Sequence, residues 1–360
     1  MQQQFLTPGP SQLYFTVADH IRSALRENVA SISHRSKAFE GIFIHAVSGV
    51  RELLQVPEDY RIVFTASATE VWERIIQNCV EKESFHFVNG SFSKRFYEFS
   101  KDLGHTAHIK EAPFGEGFDM AEAAIPSTAE LICCTLNETS SGVTMPSEDI
   151  YKLRELHPDK LIAVDAVSAV PYIPLDISKI DTLFFSVQKG MGLPAGLGVW
   201  IFSPRCIAKA EALQTSGKII GTYHSIPELL GKEVNNQTPE TPNVLGIYLL
   251  GKVCEDMLRK GIVTIRQEML YKATTIYTLF EKHPNFEILV KNKAHRSHTV
   301  AVANVVGKSP KEVMSFLEGH GITIGSGYGK YKANQVRIAN FPTHSKELFE
   351  RVYDLLEGWK

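Results

Sequence analysis

Apolar positions in this chain recur at two spacings. Residues 39–54 carry them at the three-to-four spacing of an amphipathic helix that stops before Pro57, and residues 69–79 repeat the pattern. Between and after these come short runs that are apolar on both parities and rich in β-formers: 61–65, 85–88, 131–135, 161–164, 182–186 and 198–202. A strand apolar on both parities is covered on both faces. Strands alternating with helices therefore predict a mostly parallel sheet in an α/β sandwich. The texture changes at 235–243, Asn-Asn-Gln-Thr-Pro-Glu-Thr-Pro-Asn, which reads as a loop. A long helical stretch follows over 244–283 with a break at Gly261. Strands near 299–305, 322–324 and 335–339 and helices over 310–318 and 345–356 then describe a smaller α/β unit. The expected organisation is an N-terminal segment, 1–15, packing at the domain junction, a large domain, 16–245, and a small domain, 246–360.

Composition narrows the function classes. The 360 residues are 44% hydrophobic, enough for a large core, and 38 Lys+Arg against 40 Asp+Glu leave a formal charge of -2. A near-neutral chain with no basic block argues against nucleic acid or a membrane surface as the partner. No uninterrupted apolar run is long enough to span a bilayer. The start, MQQQFLTPGP, has neither the basic nor the apolar region of a secretory signal. The cysteines, Cys79, Cys133, Cys134, Cys206 and Cys254, are odd in number and never spaced C-x-x-C. A reduced, cytoplasmic protein with no metal framework is expected.

Five segments carry candidate chemistry. In Phe-Phe-Ser-Val-Gln-Lys-Gly-Met-Gly, 184–192, Lys189 follows an apolar strand and precedes a Gly-rich turn. The carboxyl end of a buried strand is where open α/β sheets bind ligands, and a lysine buried there offers a neutral amine for imine chemistry. Taken alone, the segment reads equally well as a surface lysine in a loop. The Gly190-x-Gly192-x-x-Ala195 spacing imitates a dinucleotide fingerprint, but Pro194 and the strand that follows deny it the required helix. Asp165 closes the strand of 161–164; a carboxylate there needs a partner, and a protonated pyridine nitrogen is one. Helix capping is the plainer alternative. Thr-Ala-Ser-Ala-Thr-Glu, 65–70, is a strand-to-helix turn whose free N–H groups could seat a phosphate, or simply an N-cap. Phe92, after Asn89-Gly90, could stack on a planar ring or belong to the core. Asn-Glu-Thr-Ser-Ser-Gly, 137–142, puts polar side chains at a strand's carboxyl end.

Taken in order, these segments resemble the class V aminotransferases, pyridoxal phosphate enzymes of the aspartate aminotransferase fold (fold type I). The resemblance runs from Thr7-Pro-Gly-Pro10 to Val336-Arg-Ile-Ala-Asn340. Within that class, Ser-His-Arg-Ser-Lys-Ala-Phe, 33–39, is similar to a stretch of the phosphoserine aminotransferases. The resemblance implies that Lys189 holds pyridoxal 5'-phosphate covalently and shuttles the substrate α-proton, with Asp165 on the pyridine nitrogen. It implies Phe92 stacked on the ring, where many relatives use Trp, and Thr139 at the ring oxygen. Ala68, Thr69, Ser168 and Gln188 would serve the cofactor phosphate. Gln237 and Thr238 would reach the phosphate of a second subunit's cofactor, which requires a homodimer with shared active sites. His34 and Arg35 would bind a substrate phosphate, a task that suits the Arg fork. Arg337 would bind the substrate carboxylate, with Lys330 or Lys332 supplying further charge. The implied reaction is ping-pong amino transfer between 3-phosphoserine and 2-oxoglutarate, in serine biosynthesis. The chain departs from the phosphoserine pattern in two places: the 65–69 turn lacks Arg, and Gly-Ser-Gly-Tyr-Gly-Lys-Tyr-Lys, 325–332, stands where a His-Arg or His-Lys pair is common. Thr7-Pro-Gly-Pro10 is closer to alanine–glyoxylate and serine–pyruvate aminotransferases, which form the alternative. A cysteine desulfurase is disfavoured because no Cys lies beyond Cys254. A cofactor-binding protein without catalysis is disfavoured by the Asp165 and Lys189 pair, and a nicotinamide dehydrogenase rests only on the Gly190 spacing.

Overall fold

The computed structural model describes residues 3–120 and 123–359. The chain enters through β1 (Gln4–Leu6), α1 (Val17–Arg26) and α2 (Lys37–Leu54). The alternating region follows: β2 (Arg61–Thr65), α3 (Ala68–Cys79), β3 (Glu83–Val88), α4 (Ser91–Asp102), β4 (Thr106–Glu111) and β5 (Leu131–Thr135). A short hairpin, β6 (Asn137–Glu138) and β7 (Val143–Thr144), precedes α5 (Ser147–Leu156), β8 (Leu161–Asp165), β9 (Thr182–Ser186) and β10 (Gly198–Phe202). Helices α6 (Pro204–Thr215), α7 (Ile226–Glu233), α8 (Val244–Lys260) and α9 (Ile262–Lys282) come next. The chain closes with β11 (Phe286–Ile288), β12 (Val300–Val305), α10 (Pro310–Gly319), β13 (Ile322–Ser326), β14 (Gln335–Ala339) and α11 (Lys346–Glu357).

The larger sheet has seven strands in the order β2-β10-β9-β8-β5-β3-β4, and only β10 runs against its neighbours. The expected mostly parallel sheet is therefore present. Its two faces divide the apolar strand residues by parity. Ile62, Phe64, Ile132, Cys134, Ile162 and Val164 join the core formed with α2 and α8. Val63, Leu131, Cys133, Leu161, Ala163 and Trp200 join the core formed with α3 and α6. At roughly 25 cal/mol per Å² of apolar surface, this double coverage is the main force holding the strands in register. The register aligns Thr135 with Asp165, and Asp165 with Phe184. The carboxyl ends of β2, β5, β8 and β9 thereby open on one edge.

The second sheet, β1-β13-β14-β12-β11, has β1 parallel to β13 and its other pairs antiparallel. Residues 4–6, which the sequence pattern does not mark as a strand, thus complete a sheet built from the far end of the chain. Gly261 separates α8 from α9 at a φ of 88°, where a side chain would be strained. The loop at 235–243 is present, yet α8, just beyond it, packs into the same core as α2. The core of the second sheet draws on α9 only from Ala273 onward. No helix among the described residues is long and apolar enough to cross a membrane.

Candidate active site

The carboxyl edge of the larger sheet closes a cavity of about 190 Å³, walled by Pro8 and Gly9 from the N-terminal segment, by Trp72 and Phe92 from α3 and α4, by Tyr328 from the β13–β14 loop and by Arg337 from β14. Lys189 sits in the turn after β9, where a short apolar strand delivers it to the edge. It is only 7% exposed. Its Nζ donates to Thr139 Oγ1 at 3.0 Å and stands 5.1 Å from the centre of the Phe92 ring. Burial pulls its pKa down to about 8; Asp165 opposes the shift and Arg337 adds to it. At neutral pH an appreciable fraction is therefore a free amine, unlike an ordinary lysine. A Cβ on Gly9 would lie 2.7 Å from Lys189 Cε, so the N-terminal segment covers the amine at a distance only glycine permits.

Asp165 ends β8 and lines the same cavity. Its oxygens accept from Trp72 Nε1 at 2.8 Å and from the Val167 N–H at 3.0 Å. Burial still pushes its pKa up to about 6, against those two hydrogen bonds and Lys189. Both hydrogen-bond donors are neutral, so the buried carboxylate calls for a cation. Arg337, on β14, donates through Nε to Ser326 O at 2.8 Å and through Nη1 to Thr139 O at 3.1 Å. Burial lowers its pKa to about 10, which leaves it cationic at neutral pH. Thr139 thus touches the amine with its hydroxyl and the guanidinium with its carbonyl.

Ala68, Thr69, Phe92, Thr139, Asp165, Gln188, Lys189 and Arg337 all line the cavity. The Ala68 N–H is already donated to Ser186 Oγ at 2.7 Å, so Thr69 is the more open member of that turn. Ser168 does not line the cavity. Its hydroxyl is engaged by Asn137 Nδ2 and Thr139 Oγ1, both at 2.8 Å, and Val167 faces the cavity instead. His34, Arg35, Gln237, Thr238 and Lys330 also lie outside the wall. Four of these form their own group: Arg35 beside His34 donates to Gln237 Oε1 at 3.0 Å, Thr238 O at 2.7 Å and Pro239 O at 3.1 Å. Burial and the Arg35 charge hold the His34 imidazole below its usual pKa. Lys330 is exposed, its Nζ 5.3 Å from the Tyr331 ring.

Three residues at the site were not marked by the sequence reading. Trp72 orients Asp165. Tyr328 packs on Phe92 at 5.0 Å between ring centres. Glu138 is fully buried beneath the start of α4. Its carboxylate accepts from the Phe92 and Ser93 N–H groups at 3.4 and 2.9 Å, and from the Ser140 N–H and hydroxyl at 3.1 and 2.6 Å. The Asn-Glu-Thr motif was a visible signal for Glu138. Nothing in sequence separates Trp72 from a core tryptophan.

These residues fit pyridoxal phosphate. A buried carboxylate without a cationic hydrogen-bond donor suits a protonated pyridine nitrogen, and Phe92 and Val167 give apolar wall for a flat ring. Asn137 Oδ1 is a buried acceptor with no partner among the described residues, as a site for a polar cofactor would leave it.

Comparison with known proteins agrees with this geometry. A family model described as "Aminotransferase class-V" matches residues 4–333. A phosphoserine aminotransferase from a Nocardioides species is 26% identical over 340 residues, covering 93% of this chain and 89% of that one. Among solved structures, a phosphoserine aminotransferase from Cytophaga hutchinsonii is 52% identical with a TM-score of 0.98, covering 99% of each chain. An alanine–glyoxylate aminotransferase from Nostoc sp., 23% identical with a TM-score of 0.85 over 99% of this chain and 95% of that one, shares the fold.

Proposed function

The chain belongs to the class V aminotransferases, and from that premise we propose that it exchanges the amino group between 3-phosphoserine and 2-oxoglutarate. The observation that carries amino transfer is the convergence of the Lys189 amine, the Asp165 carboxylate and the Arg337 guanidinium on one cavity. Pyridoxal phosphate, when bound, supplies a ring that stabilises negative charge at the substrate α-carbon. Lys189 is the residue that would hold it, and its amine would take the proton from the substrate α-carbon. The Thr139 hydroxyl, which accepts from Nζ at 3.0 Å, would hold the amine in place. Asp165, steadied by Trp72, would hold a proton on the pyridine nitrogen. Arg337 would receive the α-carboxylate by a charge-assisted contact. The Pro8–Gly9 turn and Tyr328 restrict water around the amine. An amino acid enters and an oxo acid leaves; a second oxo acid then enters and is aminated.

The phosphorylated donor is supported by the likeness to the Cytophaga hutchinsonii enzyme and by the Ser-His-Arg-Ser-Lys segment. Lys189 and Arg337 are the only cations lining the cavity among the described residues. A phosphate therefore needs cations from outside this wall. The His34, Arg35, Gln237 and Thr238 group suits that need if it is offered to the cavity of a second copy, in a homodimer with shared active sites. The turn at 65–69, which carries no Arg, favours a second reading with alanine or serine as donor and glyoxylate or pyruvate as acceptor. Half-reactions with phosphoserine and alanine, followed by loss of the visible cofactor band, separate the two. Faster conversion by phosphoserine is expected; strong conversion by alanine and none by phosphoserine would overturn the phosphoserine assignment.

A further inference from the structure

The loop of residues 327–334 joins β13 to β14 and places Tyr328 in the cavity wall. Two aromatic contacts tie it to the larger sheet. Tyr328 packs on Phe92 at 5.0 Å with an interplanar angle of 48°. Tyr331 stacks on Phe114 at 3.9 Å and 13°. The first contact lies in the cavity wall; neither Tyr331 nor Phe114 does. Phe114 belongs to the turn after β4, and that turn is held to the head of α4 by Asn89 Nδ2 donating to Glu116 O at 3.1 Å. The loop's own path is fixed as well. A Cβ on Gly327 would meet Tyr331 O at 2.2 Å, and Gly329 has a φ of 55°. The Gly327 N–H donates to Gln335 O at 2.7 Å.

Tyr328 also lies under the Arg337 guanidinium, whose carbon is 5.5 Å from the ring centre. Both residues line one cavity of about 190 Å³, so a donor held at Arg337 by its α-carboxylate would have the Tyr328 ring beside it in a confined space. We propose that Tyr328 is a specificity-determining residue, held by the Tyr331–Phe114 stack, that admits slender donor side chains and refuses bulky apolar ones. The inference rests on the aminotransferase reading but not on phosphoserine as the donor. Tyr331 and Phe114 are positioning residues that act through Tyr328.

The test is a panel of half-reactions on the cofactor-loaded protein, with phenylalanine compared against the slender donor that wild type converts fastest, together with donor affinities from spectral titration. Tyr328→Ala should raise the phenylalanine-to-slender ratio roughly tenfold or more, the scale of a side-chain-sized change in an apolar pocket. Tyr331→Ala and Phe114→Ala, outside the cavity, should move the ratio in the same direction by a smaller factor. Tyr328→Phe, which keeps the ring, should retain discrimination. Unchanged ratios in Tyr328→Ala, or an equal loss for every donor in all three alanine variants, would overturn the inference while leaving amino transfer intact. A wild-type protein that transfers from no amino acid would overturn both.

Discussion

Lys189 and Asp165 are each held against their ordinary protonation preference by the same burial. A lysine pKa lowered from 10.5 to about 8 increases the neutral amine about tenfold per pH unit up to that value. Cofactor reloading of the apoprotein requires that neutral amine. Its rate, measured by rapid mixing, should therefore climb through pH 6 and 7 and level off near 8; a climb that continues to 10 would mean an ordinary, exposed lysine. Asp165 depends on Trp72. Trp72→Phe removes one of the two hydrogen bonds that favour the Asp165 carboxylate, so Asp165 protonates more readily, and cofactor retention in dialysis against apo-forming buffer should weaken about threefold or more. An unchanged retention would show that Trp72 only fills the core.

Secondary elements matter here through their ends. The head of α4 is capped by its own Ser93 hydroxyl, which accepts from the Gly90 N–H at 3.2 Å, and by Glu138, a carboxylate from β6 that joins Phe92 to the hairpin that carries Thr139. Glu138→Ala strands buried donors on both sides and should cost about 3 kcal/mol or more, read as a lower midpoint in urea with broadened aromatic dichroism. A midpoint equal to wild type would show that water replaces the carboxylate. The same ends explain what the sequence pattern conveyed. Central strands such as 161–165 and 182–186 were legible because burial on both faces leaves an unbroken apolar run. The edge strand β4, Thr-Ala-His-Ile-Lys-Glu, was not, because an exposed edge is kept polar. β1 is three residues long and finds its partner, β13, more than 300 residues away. Val167 rather than Ser168 lines the cavity because the alternation that points Asp165 into it runs two residues on, and the Ser168 hydroxyl is engaged by Asn137 and Thr139 instead. Lys189 and Asp165 were legible from chemistry at strand ends, and Arg337 only from family order; Tyr328 was hidden in a Gly-rich loop whose path only tertiary contacts fix.

At the scale of the whole molecule, the cavity and the His34, Arg35, Gln237 and Thr238 group are separate places on one chain. If two copies share their sites, each copy supplies half of what the other lacks. Lys189→Ala and Arg35→Ala variants, each strongly impaired, should then complement when mixed and refolded, restoring about a quarter of wild-type activity through heterodimers with one intact site. Activity no higher than the sum of the separate variants would place all functional groups within one copy.

Amino transfer by this chain, as proposed, requires Lys189 to be the amine that carries the cofactor. Borohydride reduction of the protein loaded with pyridoxal phosphate, followed by peptide mass mapping, should place the phosphopyridoxyl mass on Lys189, and prior addition of an amino donor should abolish it. An unmodified Lys189 peptide, or a label on another lysine, would contradict the account.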